Sequence, residues 1–168
     1  DLPTLTELTR FMKYQDGTTL EDRVGSERFQ QVRAALADYK VPPDWVSDMK
    51  VWAAVMTLSV PPPETGFFMD FSLSLRASGG GLRVVGLETL QEQLLFLENM
   101  PMEQQLALLD QALQEYAQVR AVHDQLVDNY LMGDLAALTA EADAQLEQLD
   151  QASRDYFIGQ GIDARNRR

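Results

Sequence analysis

The chain has no cysteine and only one histidine, His123. The first absence removes disulfides, zinc–thiolate centres and thiol nucleophiles. The second removes the two-histidine HExxH arrangement and any imidazole cage, and leaves a Ser-His-Asp relay dependent on His123 alone. That residue falls mid-helix beside Asp124 and Asp128, where a solvent-facing position is expected. No apolar run approaches the ~20 residues that a membrane-spanning helix needs. Basic residues are also scarce: 14 Lys and Arg stand against 26 Asp and Glu, for a net charge of −12. With no basic patch to neutralise phosphates, neither nucleic acid nor an anionic membrane surface is expected as a partner. The run Gly79-Gly80-Gly81 lacks the GxxxxGK[ST] pattern and precedes its apolar segment, so it reads as a linker and not a phosphate cradle. No two carboxylates declare themselves a catalytic pair by spacing. The residues alone do not assemble a complete active site.

What is present is a chain of 168 residues, read as a single domain over 1–168 and long enough to bury a core. It opens on Asp1 without a methionine or a signal-peptide pattern, as a processed or trimmed chain would. The charge is uneven, with thirteen Asp or Glu against the single Arg120 between Glu88 and Asp150. That imbalance is what the solvated face of long helices looks like, or a docking surface for a basic partner.

Helical periodicity dominates. Leu2 to Met12 reads as an amphipathic helix with Thr4 and Glu7 as a capping box, and Asp16-Gly17 as a turn. Thr19 to Val24 forms a short helical turn. Ser26 is expected to cap a helix carrying Phe29, Val32, Leu36 and Tyr39. After Val41-Pro42-Pro43, Asp44 is expected to cap a helix with Trp45, Met49, Trp52 and Met56 on its core face. Pro61-Pro62-Pro63 is a rigid break. Thr65 to Ala77 follows as a helix that is apolar almost all round, and so either deeply buried or partly strand. Pro101 is placed at the first position of a helix whose stripe runs from Met102 through Leu109, Tyr116 and Leu126 to Tyr130, about eight turns, ending at Gly133. Asp134 caps a further helix with Leu135, Leu138, Ala142, Leu146 and Leu149 as its buried side. The single glycine between them favours an antiparallel hairpin. The tail from Ser153 is helical but interrupted at Gly159 and Gly161.

The stretch Leu82 to Gln93 differs in character. Its apolar, valine-rich start, Leu82 to Leu87, is expected to form a short buried strand. Thr89 and Glu92 then make the S/T-x-x-E capping box of a helix. Glu88 sits at the junction. In open α/β sheets ligands bind beyond the carboxyl ends of strands, which makes Glu88 the candidate site residue. A carboxylate that stabilises the positive end of the helix, by about 0.3–1 kcal/mol, accounts for it equally well. Near the chain end Arg165 and Asn166 read as an exposed polar helix terminus or a truncation point.

Several of these segments, taken in order, resemble the TraB/PrgY/GumN family, to which the Tiki-type proteins are related. The most specific is Val84-Val85-Gly86-Leu87-Glu88-Thr89 with Gln93, followed by Met100-Pro101 and Gln104-Gln105. Asp16-Gly17-Thr18-Thr19-Leu20, Trp52, Gly66 with Asp70, Gly133-Asp134 and Asp163-Ala164-Arg165-Asn166 match further positions. Tyr130 stands where the family usually has tryptophan, and Ala164 where it has glutamate. The family's two GxxH motifs, which in Tiki-like members imply a metal-dependent peptidase, have no counterpart here. The resemblance therefore implies the central region of a GumN-like metal-dependent hydrolase, inactive as these residues alone, or a non-catalytic helical binding or regulatory module. It implies Glu88, and after it Arg165, as site residues. It also implies no cofactor in this stretch but a divalent metal in the full-length protein, a peptide or protein ligand, and a periplasmic or exported location. The expected fold is mainly α (α+β): a helix-rich body with one or two short strands, a fragment of a larger α/β fold.

Overall fold

The computed structural model describes residues 2–62, 69–86 and 88–167, without the side chains of residues 2–6, 90 and 165. The fold is mainly α, as the periodicity predicts. Helix α1 (Leu2–Phe11) begins ahead of Thr4, so the Thr4–Glu7 pair lies inside the helix instead of capping it. The Asp16-Gly17 turn forms as expected. Asp16 Oδ1 accepts the Thr18 N–H at 3.0 Å, and Gly17 takes φ +81°. The chain then enters α2 (Leu20–Val24) through a capping box in which Thr19 and Asp22 exchange hydrogen bonds. Helix α3 (Ser26–Ala37) is preceded by Gly25 at φ +82°. Ser26 is therefore its first residue and not its cap, and the serine hydroxyl donates to Glu21 Oε1 at 2.6 Å.

The Trp45–Met56 stretch forms two helices where periodicity predicts one. Pro42 is the N-cap of α4 (Pro43–Asp48), which places Asp44 inside the first turn. Met49 and Lys50 are extended, and α5 (Val51–Leu58) restarts beyond them. The break has a partner: Lys13 and Met49 form an antiparallel bridge, with Tyr14 N–H donating to Asp48 O and Lys50 N–H to Met12 O, both at 2.8 Å. The backbone groups freed by the break are satisfied across the chain instead of along it.

Residues 65–68 of the expected Thr65–Ala77 helix lie outside the described residues. Helix α6 (Met69–Gly79) is neither deeply buried nor strand: Met69, Leu73 and Leu75 are half or more exposed. It ends in a Schellman motif, with Leu82 N–H bonding to Ala77 O and Gly81 N–H to Ser78 O, Gly81 adopting φ +76°. The three glycines are thus a helix cap and not a free linker. The strand expected over Leu82–Leu87 is not formed over 82–86, which have no regular structure; Leu87 lies outside the described residues. A strand needs a neighbour to pair with, and here Leu82 and Val85 are 68% and 62% exposed.

Thr89 caps α7 (Leu90–Glu98) through the predicted box with Glu92. Pro101 occupies the N-cap of α8 (Met102–Glu115), one position earlier than predicted. The expected eight-turn helix breaks at 116–118 and resumes as α9 (Val119–Met132). Gly133 at φ +71° then closes a second Schellman motif, and Asp134 Oδ1 accepts the Ala137 N–H at 2.9 Å to cap α10 (Leu135–Gln148). The hairpin returns on the body, where Gln111 of α8 meets Gln148 at 3.3 Å. The α10 stripe is not a buried side, however: Leu135 is 74% exposed and none of the helix is fully covered. Asp150 caps α11 (Gln151–Tyr156). Gly159 and Gly161 do not interrupt the tail but fall within a π-helical segment (Phe157–Asp163) that runs into α12 (Ala164–Asn166).

The core lies in the first half of the chain, closed by α7 and α8. Leu20, Val32, Leu36, Val46, Met49, Val51, Leu58 and Leu109 are essentially inaccessible. At about 1.5–3 kcal/mol for each fully buried large apolar side chain, this cluster is the main stabilising element. A two-pronged Arg28–Asp110 pair, at 2.7 and 2.9 Å, ties α3 to α8 from outside.

Candidate functional site

Where α1, the Met49–Lys50 break and α7 meet, polar groups converge from positions far apart in the chain. Glu98, at the last position of α7, accepts from the Trp52 indole Nε1–H at 2.6 Å and from the Lys50 ammonium at 2.8 Å. The Lys50 ammonium also lies 4.8 Å from the centre of the Phe11 ring, and that ring tilts against Trp52 at 6.1 Å. Behind them Gln105 is buried. Its Oε1 accepts the Trp52 backbone N–H at 3.1 Å, and its Nε2 donates to Met100 O at 2.8 Å. Helix α5 has no side-chain cap of its own at Lys50, so a residue of α8 satisfies one of its orphan donors. Next to Gln105, Gln104 Oε1 is buried without a hydrogen-bond partner.

In front of this node opens a cleft of about 330 Å³. Arg10, Lys13 and Lys50 bring cations to it and Glu7 one carboxylate; Phe11 and Leu94 supply apolar wall, Gln15 and Gln91 amides. Lys13 is bound to Asp48 at 3.2 Å and lies 5.1 Å from the Trp45 ring centre. Gln15 is turned onto the end of α1, its amide within 3.2 Å of Arg10 O. Beside the cleft, burial pushes the Tyr14 phenol above its ordinary 10.0, against the opposing pull of the Val51 N–H and of Arg23, whose guanidinium lies 5.6 Å from the ring.

Glu88 is half-buried, one residue before the cap of α7. It is not among the residues lining the cleft, although Gln91 and Leu94 from the next turns of the same helix are. Arg165 falls in α12, and its side chain lies outside the described ones. The tail that precedes α12 packs against α7. The Tyr156 hydroxyl donates to Phe96 O, Phe157 meets the Phe96 ring edge-on at 6.0 Å, and a Cβ on Gly161 would stand 3.3 Å from that ring. His123 is solvent-facing as predicted, with its imidazole 3.8 Å from Asp124. Among the described residues no three His, Cys, Asp or Glu side chains come together as a metal site. Glu98, Lys50 and Arg10 carry no signal in the sequence, since nothing in their spacing announces that residues 10, 50 and 98 meet.

The fold and this node define a mainly helical protein built on a buried tryptophan–glutamine–carboxylate junction, with a cleft lined by three cations at the start of a capped helix. The chain belongs to the TraB/PrgY/gumN family, whose model matches residues 1–168. No curated protein and no solved structure matches it. Within that family pattern, several matched segments have a visible structural task. Asp16-Gly17 makes a turn, Trp52 and Gln105 join α5 to α8, Thr89 caps α7, and Gly133-Asp134 reverses the chain.

Proposed function

We propose that the chain is the helical central region of a GumN-like, metal-dependent hydrolase acting on peptides, and that these 168 residues do not hydrolyse on their own. The supporting observation is that the family's Gly-Leu-Glu-Thr segment, Gly86 to Thr89, leads into the helix whose first turns wall the cationic cleft. The metal would be held by ligands that lie outside these 168 residues. Glu88 is proposed to face the cleft of the complete protein, with Arg165 a second contributor. A periplasmic or exported location accompanies this assignment by family resemblance alone. In the complete protein with its metal, Glu88→Gln is expected to lower kcat/KM on a fluorogenic peptide by about a hundredfold, the scale of a positioned acid–base group. Unchanged hydrolysis would remove Glu88 from the site. Robust metal-dependent cleavage by the 168 residues alone would refute the claim of inactivity.

A second reading, a non-catalytic binding or regulatory module, is favoured by the tip of the α9–α10 hairpin. There Tyr130, Leu131, Met132 and Leu135 are 63–75% exposed around Gly133. Exposed apolar clusters of this kind mark contact surfaces. A parent sequence lacking GxxH on both sides of this stretch would decide for the module.

A further inference from the structure

We propose that the cleft between α1, the Lys13–Met49 bridge and the first turns of α7 binds a carboxylate carried beside an apolar side chain, in the form of the C-terminal end of a peptide. The choice of a peptide rests on the peptide-handling function proposed above; the recognition of a carboxylate rests on the cleft alone.

The chain is strongly acidic, yet three of its 14 basic side chains line this one cleft. Glu7 is the lining carboxylate, and Asp48 and Glu98 pair with Lys13 and Lys50 at its edge, which leaves Arg10 as the cation without an ion pair among the described residues. Arg10 is exposed and makes no ion pair among the described residues, so its planar fork of N–H donors is available to grip a carboxylate through both oxygens. Lys13 and Lys50 are each held in place, by Asp48 and Glu98 respectively and by the aromatic rings beneath them. An ammonium carries three N–H donors, and one carboxylate partner leaves donors over for a ligand. These two cations are therefore fixed at the cleft before any ligand arrives, which lowers the entropy lost on binding.

The rest of the lining selects among anions. Phe11 and Leu94 face the cleft as apolar wall and give a terminal side chain a surface to cover. Gln91, second residue of α7, adds an amide at the positive end of that helix. A free phosphate would use the cations but nothing of that wall. A cleft of about 330 Å³ is at the small end of ligand-binding sites and takes the end of a chain more readily than a folded surface.

The test uses the 168-residue chain and isothermal titration with four probes. These are an unstructured hexapeptide ending in leucine with a free carboxylate, the same peptide amidated, an amidated peptide with an internal glutamate, and inorganic phosphate. The free-carboxylate peptide is expected to bind about tenfold more tightly than its amide, the scale of one charge-assisted hydrogen-bonded pair. Arg10→Gln is expected to remove most of that difference while leaving the thermal midpoint unchanged, because the side chain is exposed and outside any ion pair described. Equal binding of the amidated peptide would overturn the proposal, as would indifference to Arg10→Gln. Equal binding of the internal-glutamate peptide would assign the carboxylate to a side chain and overturn the terminal assignment. Phosphate matching the free-carboxylate peptide would show a plain anion site and overturn it too. None of these readouts involves hydrolysis, so an inactive parent protein would leave the binding result standing.

Discussion

Two adjacent glutamines allow a sharp test of how the body is held together. Gln105 is 5% exposed and satisfies two backbone groups, the Trp52 N–H and the Met100 carbonyl. Gln105→Met keeps the side-chain volume and removes both bonds. Each backbone group left unpaired in the interior costs roughly 1–3 kcal/mol, so the variant is expected to lose about 2–6 kcal/mol. For a chain of this length each kcal/mol shifts the thermal midpoint by about 2–4 °C, and the predicted fall is therefore about 4–24 °C. Urea unfolding followed by circular dichroism measures the loss directly, with an unchanged slope showing that the denatured state is unaffected. Gln104 supplies the control. Its Oε1 is buried with no partner, so Gln104→Leu removes an unpaired acceptor and is expected to be neutral or stabilising. Equal destabilisation by the two substitutions would show that the cost is one of packing, and the assigned junction between α5 and α8 would fall.

Two further outcomes follow from local geometry. Gly133 sits at φ +71° with open space where a Cβ would stand, so Gly133→Ala is expected to cost about 1–2 kcal/mol from backbone conformation alone; urea unfolding checks it, and no loss would mean that the turn relaxes into another form. Hydrogen bonds from Thr18, Thr19 and Ser153 hold the carboxyls of Asp16, Asp22 and Asp150 below their ordinary 3.8. Groups with depressed folded-state values contribute stability that is present above the unfolded value and lost as pH falls through the folded one. The thermal midpoint should therefore be insensitive to these three groups at neutral pH and decline below about pH 4, and the Asp22→Asn variant should show a shallower decline. An identical acid limb in that variant would refute the assignment.

Features written in a few consecutive residues are legible in the sequence. The Thr89–Glu92 box, the Gly133–Asp134 reversal and the Asp16–Gly17 turn all form, because each depends on residues a few positions apart. The breaks at 49–50 and 116–118 are not legible. Apolar residues keep helical phase across both, and the first break is stabilised by a bridge to Lys13, thirty-six residues away. Ser26 has the chemistry of a cap, but a glycine at φ +82° one step earlier starts the helix. The valine-rich run after Gly81 has strand composition, and composition cannot supply the neighbour that a strand requires. Of the cleft and the junction behind it, the Thr89-capped helix is visible from local pattern, and Trp52 and Gln105 from the family resemblance. The cleft's cations are drawn from α1 and from a bridge that periodicity does not foresee.

The apolar faces that the structure leaves uncovered share a physical cause. Periodicity tells which side of a helix would be buried, not whether anything lies against it. The stripe through α8 and α9 shows this within one sequence pattern: Leu109 is fully covered, whereas Val122 and Tyr130, on the same stripe, are 39% and 63% exposed. The pattern continues but the core beneath it stops, because α3 and α5 pack against α8 and α9 runs beyond them. Helix α6 and the segment after it present apolar residues in the same way, with Leu73, Leu82 and Val85 more than half exposed. Of the thirteen acidic residues between Glu88 and Asp150, five fall on α9 and α10, where they are exposed or half-buried beside the uncovered apolar positions of those helices.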